Sequence, residues 1–563
     1  MKMPRPHFGA VLFAVGSLLA GGAEPVPPTA DAAGRAPQID DVLTRAFPAD
    51  APGAAVLVVS RGEVLLRKGY GTANLELGVP VRPEHVFRIG SITKQFTAVA
   101  ILQLAEAGKL SLEDDVTKYV PEVETHGEKV TLAHLLTHTS GIPSFTDEPA
   151  WRAAPREDMS LARELSFIKG KPRKFAPGTG WQYCNTGYRL LGEVIEKVSG
   201  QSYAAYVEEK IFRPAGMTHS SYDDPRRMIA GRIPGYSPGP EGRTLNAEFV
   251  SMTQPHAAGA LLSNVDDLWR WEQALANGKL VRTDLLARAY TEARLADGRR
   301  AGYGFGWSVG SIAGRAAVAH GGGIQGFSTY VLRVPDAGLF VAVLCNSNHP
   351  KLAPGAAATR IANLVLGRRP DVGVAVPEEV LARIAGVYSI PPNDRFELAV
   401  QEGRLVAIRA GGSPVSLAAV SAEEFVVPAN DMTYRILARD PEGRVVRVAF
   451  QRPFSQEYFA DRFAGPLEDP AKPAVVVAAA TLASYAGEYE LAPNFILTVR
   501  QVGDSLTAQG TGQGATNLIA ESTTRFRVKQ VKAEIEFKTD ETGRVTGLVL
   551  FQNGQEMPGR RKN

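Results

Sequence analysis

A serine and a lysine three residues apart, Ser91 and Lys94, are the first residues of this sequence that could do chemistry. On a helix this spacing puts both on one face, so the lysine amine can activate the serine hydroxyl as a nucleophile. Gly90 permits a sharp turn into the helix, where unpaired backbone N–H groups stabilise a developing anion. The apolar run 98–104 predicts that the helix is buried, and burial lowers the pKa of a lysine.

The Ser91/Lys94 pair is weak evidence by itself. Ser166 and Lys169 repeat the spacing in a polar surrounding, without the flanking glycine or the apolar run. A helix that merely carries a serine and a lysine is therefore the alternative at both places, and other elements have to decide between them.

Tyr183 and Asn185 form a second candidate pair. A Pro-Gly turn at 177–178 precedes them and a helical pattern at 190–198 follows, which predicts a loop that enters a helix. Both side chains can then face one cleft, where a phenolate could take the serine proton and the amide could hold a substrate carbonyl. An aromatic core residue followed by an N-cap asparagine is the alternative. His138, also considered as a base, is predicted to be structural.

His320 starts a third candidate element, because it ends the apolar run 316–319 and is followed by Gly321, Gly322 and Gly323. Residues 327–332 predict the next strand, so the histidine and the glycines fall at a strand edge. Glycines there let a substrate backbone approach closely and leave an N–H free for an oxyanion. A glycine-rich hairpin is the alternative interpretation.

These three elements, in this order, resemble the motifs of the serine β-lactamase and penicillin-binding protein superfamily, specifically its class C branch. The family patterns S-x-x-K, Y-x-N and H-x-G match residues 91–94, 183–185 and 320–322. Segments 135–141, 214–217 and 258–263 also look like family segments. The resemblance covers about residues 38–370. It implies a helical subdomain between the S-x-x-K and Y-x-N motifs, and the short stretch from Ser166 to Tyr183 leaves no room for one. The resemblance therefore favours Ser91 and Lys94 over Ser166 and Lys169.

The resemblance implies an α+β domain with a five-stranded antiparallel sheet flanked by helices, a mainly helical subdomain, and the site between them. It also implies acyl transfer, in which Ser91 attacks a carbonyl, Lys94 and Tyr183 relay its proton, and Asn185 positions the substrate. The N–H groups of Ser91 and Gly323 would form the oxyanion hole. Whether Lys94 or Tyr183 is the base stays open, because strongly coupled groups titrate as a unit.

The third motif also predicts the substrate. In enzymes with K-T-G, the lysine and threonine help to bind a substrate carboxylate, whereas His320 is mostly neutral at pH 7 and Gly321 has no hydroxyl. H-x-G occurs in family D-aminopeptidases and esterases, so we expect small D-amino-acid amides, peptides or esters, with His320, Gly322 and Gly323 in substrate or oxyanion binding. The alternatives are a broad carboxylesterase, a weak β-lactamase or D-Ala-D-Ala carboxypeptidase, and a catalytically weak cell-wall ligand sensor.

The N-terminus predicts export. Residues 1–23 combine a positive start, an apolar segment too short to span a bilayer, and a small-residue cleavage site, as in a secretory signal peptide. A Pro/Ala-rich linker at 24–37 leads into the catalytic region at 38–370. We expect a periplasmic or secreted protein with no stable membrane insertion after signal cleavage.

The C-terminal part contains an internal repeat. The segment 385–388, Ala-Gly-Val-Tyr, recurs as Ala-Gly-Glu-Tyr about 100 residues later. Each copy has enough short strands for a closed eight-stranded antiparallel barrel, which predicts all-β barrels at 371–464 and 481–563, with a linker at 465–480. This layout is similar to that of D-aminopeptidases, and a pair of generic spacer domains is the alternative.

Composition bounds the remaining possibilities. The 563 residues are too many for one core, and a net charge of +3, with 59 acidic residues balancing the basic ones, indicates no nucleic-acid partner. The histidines and cysteines lack metal-ligand spacing, so no metal or other cofactor is expected. Cys184 and Cys345 are predicted to be small buried residues rather than a disulfide. The expected partner is a small-molecule or short-peptide substrate.

Overall fold

The computed structural model describes residues 33–240, 243–367, 373–390, 394–409, 412–465, 467, 475–492, 495–511, 515–528, 533–552 and 555–562. The predicted signal peptide at 1–23 lies outside these ranges, as do residues 24–32 of the first predicted linker and residues 466 and 468–474 of the second. In the ranges that are described, no helix has the length and the apolar composition needed to cross a membrane.

An antiparallel sheet forms the centre of the N-terminal part. The strands there are β1 (Ala54–Ser60), β2 (Glu63–Tyr70), β3 (Thr72–Asn74), β4 (Val79–Pro80), β5 (Phe87–Arg88), β6 (Ser221–Tyr222), β7 (Tyr236–Pro238), β8 (Thr244–Asn246), β9 (Leu261–Ser263), β10 (Ser308–Ile312), β11 (Arg315–Ile324), β12 (Phe327–Val334) and β13 (Leu339–Cys345). The central sheet has the order β10-β11-β12-β13-β1-β2. It has six strands, one more than the five that the family resemblance implied, because β10 pairs with the first half of β11.

The pairing of β10 determines which part of β11 stays open. It covers residues 315–319 of β11 and stops there, so residues 320–324 have a sheet partner only on the β12 side. The histidine and glycines therefore do lie at a strand edge, as their sequence predicted. β1 and β2 form a hairpin, and its turn is at Arg61 and Gly62, which both have positive φ.

Helices cover both faces of this sheet. They are α1 (Ala36–Ala46), α2 (Thr93–Glu106), α3 (Leu132–Leu136), α4 (Pro149–Arg152), α5 (Leu161–Ser166), α6 (Asn185–Ser199), α7 (Tyr203–Val207), α8 (Arg213–Ala215), α9 (His256–Gly259), α10 (Val265–Ala276), α11 (Thr283–Ala289) and α12 (Pro354–Leu366). Ile39 of α1 and Ile361 of α12 pack with Val56 and Val341 on one face. The α2 helix packs on the other face.

The α2 helix is buried all round, as its apolar run predicted. Residues 93–102 are all buried, and Phe96 stacks on Trp271 of α10 with the ring centroids 4.1 Å apart. Burying a large apolar side chain of this kind contributes roughly 1.5–3 kcal/mol. The helix that carries Lys94 is thus part of the main hydrophobic core, and this makes its polar residues exceptional.

Two all-β units follow. Their helices are α13 (Glu378–Ile384) and α14 (Ala479–Tyr485), and their strands are β14 (Gly386–Ile390), β15 (Asp394–Gln401), β16 (Arg404–Arg409), β17 (Val415–Ser416), β18 (Ala418–Ala419), β19 (Glu424–Val427), β20 (Met432–Arg439), β21 (Val445–Gln451), β22 (Glu457–Phe463), β23 (Gly487–Ala492), β24 (Phe495–Val502), β25 (Ser505–Gly510), β26 (Thr516–Ala520), β27 (Arg525–Val528), β28 (Ala533–Thr539), β29 (Val545–Gln552) and β30 (Gln555–Arg561).

The second of these units is the closed eight-stranded barrel that the sequence predicted, formed by β23 to β30. The first is a nine-stranded, nearly closed barrel instead of a closed eight-stranded one. The physical reason is a split at Leu417, where β17 pairs with β16 and β18 pairs with β19 on the other side. As one continuous strand, β17 and β18 would close the barrel, but as two separate strands they form its two edges.

The repeat that the sequence predicted has a structural basis. Tyr388 and Tyr489 each donate their hydroxyl hydrogen to the backbone carbonyl four residues earlier, at 2.6 and 2.8 Å. Arg462 and Arg561 each donate to the carbonyl of the alanine before the repeat glycine, at 2.8 and 2.6 Å. Each barrel is thus fastened to its preceding helix by the same tyrosine and arginine contacts, which satisfy buried carbonyl groups.

Candidate active site

Ser91 lies in a tight turn, Gly90–Ile92, directly before α2. Gly90 has a φ of +52°, and a Cβ at this position would come within 3.0 Å of the Gly323 nitrogen. Both the left-handed backbone and the close approach require glycine. The turn thereby sets Ser91 against the open edge of β11.

Lys94 is fully buried, and its amine has three neighbours that can accept a hydrogen bond. These are Ser91 Oγ at 3.2 Å, Asn185 Oδ1 at 2.9 Å and the Ala258 carbonyl at 2.8 Å. Burial lowers the pKa of Lys94 from 10.5 to about 7. A neutral amine has two N–H donors and one lone pair, so it can donate to Asn185 and Ala258 and accept from the Ser91 hydroxyl.

Tyr183 closes the other side of the serine. Its ring centroid lies 4.7 Å from the Lys94 amine. Burial raises the pKa of the Tyr183 phenol, while the nearby Ser91 hydroxyl acts in the opposite direction. Because burial is the larger effect, the phenol keeps its proton at neutral pH and can serve as a donor.

His138 supports the segment that carries Tyr183. Its ring centroid lies 4.4 Å from that of Tyr183, and its Nδ1 accepts a hydrogen bond from the Cys184 backbone N–H at 3.1 Å. Burial lowers the pKa of His138 well below 6.5, so the ring is neutral. His138 therefore has the structural position that the sequence predicted.

Asn185 is the first residue of α6, and its side-chain amide is held at both ends. Its Nδ2 donates to Thr146 Oγ1 at 3.1 Å while its Oδ1 accepts from Lys94, and its backbone N–H donates to Ser144 Oγ at 3.1 Å. The carbonyl end of the amide is consequently directed at Lys94, and the NH₂ end is directed toward Thr146.

His320 is buried and is not among the described residues that line the cleft. Its Nδ1 lies 2.6 Å from the Gly321 carbonyl and its Nε2 lies 2.8 Å from the Tyr303 hydroxyl. Burial lowers its pKa to about 3, so the ring is neutral. The carbonyl can only accept, so Nδ1 carries the hydrogen and Nε2 accepts from Tyr303. A substrate-binding role for His320 stays a prediction, and Tyr303 is a partner that no sequence motif indicated.

The two glycines after His320 differ in their surroundings. A Cβ on Gly322 would lie 2.0 Å from the Ile89 carbonyl oxygen and 2.2 Å from Thr329 Oγ1. At Gly323 a Cβ would meet no atom within 4 Å. Gly322 thus lets β11 touch the residues before Ser91, whereas Gly323 borders open space beside the serine.

A cleft of about 110 Å³ opens at Ser91. None of the described residues that line it is charged, and aromatic and aliphatic side chains predominate; they are Ser91, Phe145, Thr146, Trp151, Asn185, Val250, Pro255, Ala258, Gly259, Gly323, Ile324 and Gln325. The sequence motifs indicated Ser91, Asn185 and Gly323, and the family segment at 258–263 included Ala258 and Gly259. The rest lie outside the motifs, so their approach to the serine had no sequence signal.

The second serine-lysine pair does not form a site. Ser166 is exposed at the end of α5 and donates its hydroxyl hydrogen to the Arg163 carbonyl at 2.6 Å, and Lys169 is exposed as well. Cys184 and Cys345 are both free and buried, as predicted. Within the described ranges, no cluster of histidine, cysteine and acidic side chains could hold a metal ion.

Comparison with known proteins identifies two matching families. Residues 41–366, more than half of the chain, match the family model described as Beta-lactamase. Residues 471–561, which include the closed barrel, match a model described as a domain of unknown function, DUF3471. The first match contains all the residues gathered around Ser91.

Individual relatives agree with the first match. Penicillin-binding protein 4* of Bacillus subtilis (strain 168) is 28% identical over 400 residues, which are 66% of this chain and 87% of that protein. Protein flp of Staphylococcus aureus (strain N315) is 31% identical over 311 residues, 54% of this chain, and the match spans 61% of that protein. A solved structure, the octameric penicillin-binding protein homologue from Pyrococcus abyssi, is similar with a TM-score of 0.52 and 28% identity, covering 76% of this chain and 99% of that one.

The unequal surroundings of the two glycines predict unequal effects of the same substitution. We expect Gly322→Ala to push β11 away from the Ser91 turn, lowering the free energy of unfolding by about 1–3 kcal/mol and removing most activity. Gly323→Ala should leave the free energy of unfolding within about 0.5 kcal/mol of wild type. Denaturant unfolding would measure the stability and labelling of Ser91 the activity, and an equal stability loss in the two variants would contradict the close packing at Gly322.

Proposed function

This chain belongs to the β-lactamase family, and on that premise we propose that Ser91 attacks the carbonyl group of small uncharged esters or amides. The chain is a serine hydrolase that acts by acyl transfer. The observation that carries the assignment to Ser91 is its distance of 3.2 Å from the amine of Lys94, whose pKa burial lowers to about 7. Such an amine is largely neutral at physiological pH and can accept a proton.

Lys94 is the general base in this proposal and Tyr183 is the proton donor. The Ser91 oxygen bonds to the carbonyl carbon while its proton passes to the Lys94 amine. Tyr183 then gives its proton to the leaving oxygen or nitrogen as that bond breaks, and recovers one from the Lys94 ammonium. Water releases the acyl group by the same transfers in reverse. Opposite pKa shifts support this division, since burial lowers the pKa of Lys94 and raises that of Tyr183.

The oxyanion is assigned to the backbone N–H groups of Ser91 and Gly323. Gly90 brings the Ser91 turn against Gly323, as the 3.0 Å approach of a Cβ on Gly90 to the Gly323 nitrogen indicates. Gly323 also borders the cleft. Two N–H groups at this place would stabilise the negative charge that develops on the carbonyl oxygen.

The substrate class is proposed from the lining of the cleft. Phe145, Trp151, Val250 and Ile324 offer apolar contacts, and the described lining contains no side chain that could neutralise a charged substrate. A buried charge without a partner is costly, so the acyl group is best uncharged. Esters with short apolar acyl chains fit this lining best. A β-lactam or D-Ala-D-Ala carboxylate would find no cationic side chain there.

D-amino-acid amides are the second candidate, and one acidic residue favours them. Asp147 directly follows the lining residue Thr146, and its carboxylate lies 4.0 Å from the Arg152 guanidinium. A substrate ammonium that displaced Arg152 could pair with this carboxylate. Export under the signal sequence at 1–23, followed by action in the periplasm or outside the cell, is part of the same proposal.

The pKa of Lys94 predicts the pH dependence. Only the neutral amine accepts the serine proton, so the rate of Ser91 labelling by a fluorophosphonate should rise about tenfold per pH unit below pH 7 and level off above it. The Lys94→Met variant should label slowly with no such rise. A wild-type profile that is flat between pH 5 and pH 9 would speak against Lys94 as the base.

The nucleophile can be tested against the second serine of the same spacing. Ser91→Ala should abolish fluorophosphonate labelling and lower turnover on the order of 10⁴-fold or more. Ser166→Ala serves as the matched control and should retain wild-type labelling and turnover, because Ser166 is exposed on α5. Labelling that survives Ser91→Ala in folded protein would overturn the assignment.

A substrate panel separates the two substrate classes. Wild type and Ser91→Ala would be compared on p-nitrophenyl acetate and butyrate, D-alanine p-nitroanilide, its L-enantiomer and nitrocefin. We expect the highest kcat/KM for the neutral esters, since the apolar lining suits them. A higher kcat/KM for D-alanine p-nitroanilide than for the esters would favour the second candidate and Asp147.

A further inference from the structure

The first barrel packs tightly against the catalytic region. The loop 452–456 between β21 and β22 lies on residues 300–314, and this contact leaves no space for side chains. A Cβ on Gly302 would come within 2.0 Å of the Ser455 carbonyl oxygen, and one on Gly310 within 2.5 Å of the Phe454 nitrogen. Such close backbone contact is typical of a permanent interface and not of a freely moving spacer.

Glu457 is the buried centre of this interface. Its side chain is 1% exposed, and its carboxylate accepts from the Arg300 backbone N–H and Nε, both at 3.2 Å, and from Arg435 at 2.6 and 3.0 Å. Its own backbone N–H donates to the Arg300 carbonyl at 2.7 Å. A buried carboxylate with this many charge-assisted partners resists displacement. These contacts of Glu457 with Arg300 and Arg435 are called the clamp below.

Glu292 extends the clamp along the same segment. It accepts hydrogen bonds from the Gly302 N–H at 2.9 Å and from the Gln451 amide of the first barrel at 3.1 Å. Arg300 Nε lies 3.8 Å from Glu292 as well. Arg300 is therefore bonded to the barrel directly, through Glu457, and Gly302 indirectly, through Glu292.

The clamped stretch continues directly into residues that contact two elements of the active site, β11 and α2. The Tyr303 hydroxyl forms a hydrogen bond with His320 Nε2 at 2.8 Å. Three residues further on, a Cβ on Gly306 would come within 2.7 Å of the Lys94 carbonyl oxygen. The segment 300–306 thus joins the barrel interface to α2, the helix that carries Lys94, and to His320.

We propose that Glu457 of the first barrel is a positioning residue of the active site, which acts through Arg300 to hold Tyr303 against His320. The barrel is then a component of the catalytic unit, because the segment that packs against the Lys94 carbonyl and contacts His320 is fastened to it. This inference rests on the proposed function of Ser91 and Lys94 and adds a role for a residue that no sequence motif includes.

The connection from Glu457 through Arg300 and Tyr303 to His320 has charged and titratable groups at both ends. These are the groups whose surroundings would change if the clamp were loosened. Around Glu457 they are Arg300, Arg435 and, through Arg300, Glu292. The groups that face the Lys94 amine from the surrounding elements are Tyr183, Cys184, Tyr188, His138 and His320. Of these, His320 is the one that Tyr303 contacts by a hydrogen bond to the ring nitrogen.

The variant Glu457→Asp tests the proposal in the full-length protein. It keeps the negative charge beside both arginines but withdraws the carboxylate by one methylene, so the protein should fold. We expect kcat for p-nitrophenyl acetate to fall about tenfold with little change in KM. The rising limb of the pH profile should move about half a pH unit upward, because water that reaches Lys94 raises its pKa toward the ordinary value.

Glu556→Asp is the matched control. Glu556 lies five residues before Arg561, as Glu457 lies five residues before Arg462, but it is exposed in the second barrel. We expect wild-type kcat, KM and pH profile for this variant. An equal effect of both substitutions would assign the loss to general barrel stability and overturn the proposal.

A double variant tests the route through Tyr303. Tyr303→Phe removes only the hydroxyl bonded to His320, so Glu457→Asp should add less than twofold to its effect on kcat if both act on the same contact. Fully additive effects, or a Glu457→Asp variant that loses stability but keeps the wild-type kcat and pH profile, would overturn the positioning role.

A readout independent of turnover separates this proposal from the proposed function. The ¹⁵N chemical shifts of His320 report its tautomer, and Glu457→Asp should change them while Glu556→Asp should not. Full activity of Ser91→Ala would contradict the proposed function. The ¹⁵N shifts of His320 would still test whether Glu457 affects His320 through Arg300 and Tyr303. Unchanged shifts in Glu457→Asp would overturn the proposal in an otherwise active enzyme.

Discussion

The burial of one lysine amine is the constraint on which the rest of this structure depends. Lys94 lies inside the main core, where a charged amine is costly and the pKa falls to about 7. Acceptors from two separate elements, Asn185 and the Ala258 carbonyl, offset part of that cost. The same contacts leave one direction of the amine for Ser91, 3.2 Å away, so the arrangement that makes the buried lysine tolerable also leaves its amine beside the serine hydroxyl.

Close backbone approaches at glycines build the surroundings of that amine. Gly90 and Gly322 let the serine turn and β11 touch, and Gly306 lets the segment after Tyr303 touch α2. Any side chain at these positions would separate the layers by the width of a methyl group or more. The site is thus assembled from backbone contacts between distant parts of the chain, and the first barrel joins the same assembly through Glu457 and Arg300.

Sequence patterns predicted much of the fold, and their failures have local causes. The buried α2 helix and the closed second barrel follow from an apolar run and from a series of short strands, which are local signals. The sixth strand of the sheet and the nine-stranded first barrel were not predicted. Very short paired segments, such as β17 and β18 on either side of Leu417, carry too few residues for a period to be detected.

What the sequence by itself determined is the chemistry, since the order and spacing of Ser91, Lys94, Tyr183 and Asn185 are family motifs that need no knowledge of distant contacts. Only the tertiary structure decided what surrounds them: the uncharged cleft at Trp151 and Ile324, the bond from Tyr303 to His320, and the clamp at Glu457. The physical reason is that spacing along a helix or turn brings neighbours together by local geometry, whereas lining residues and buried ion pairs meet through packing between elements far apart in the chain.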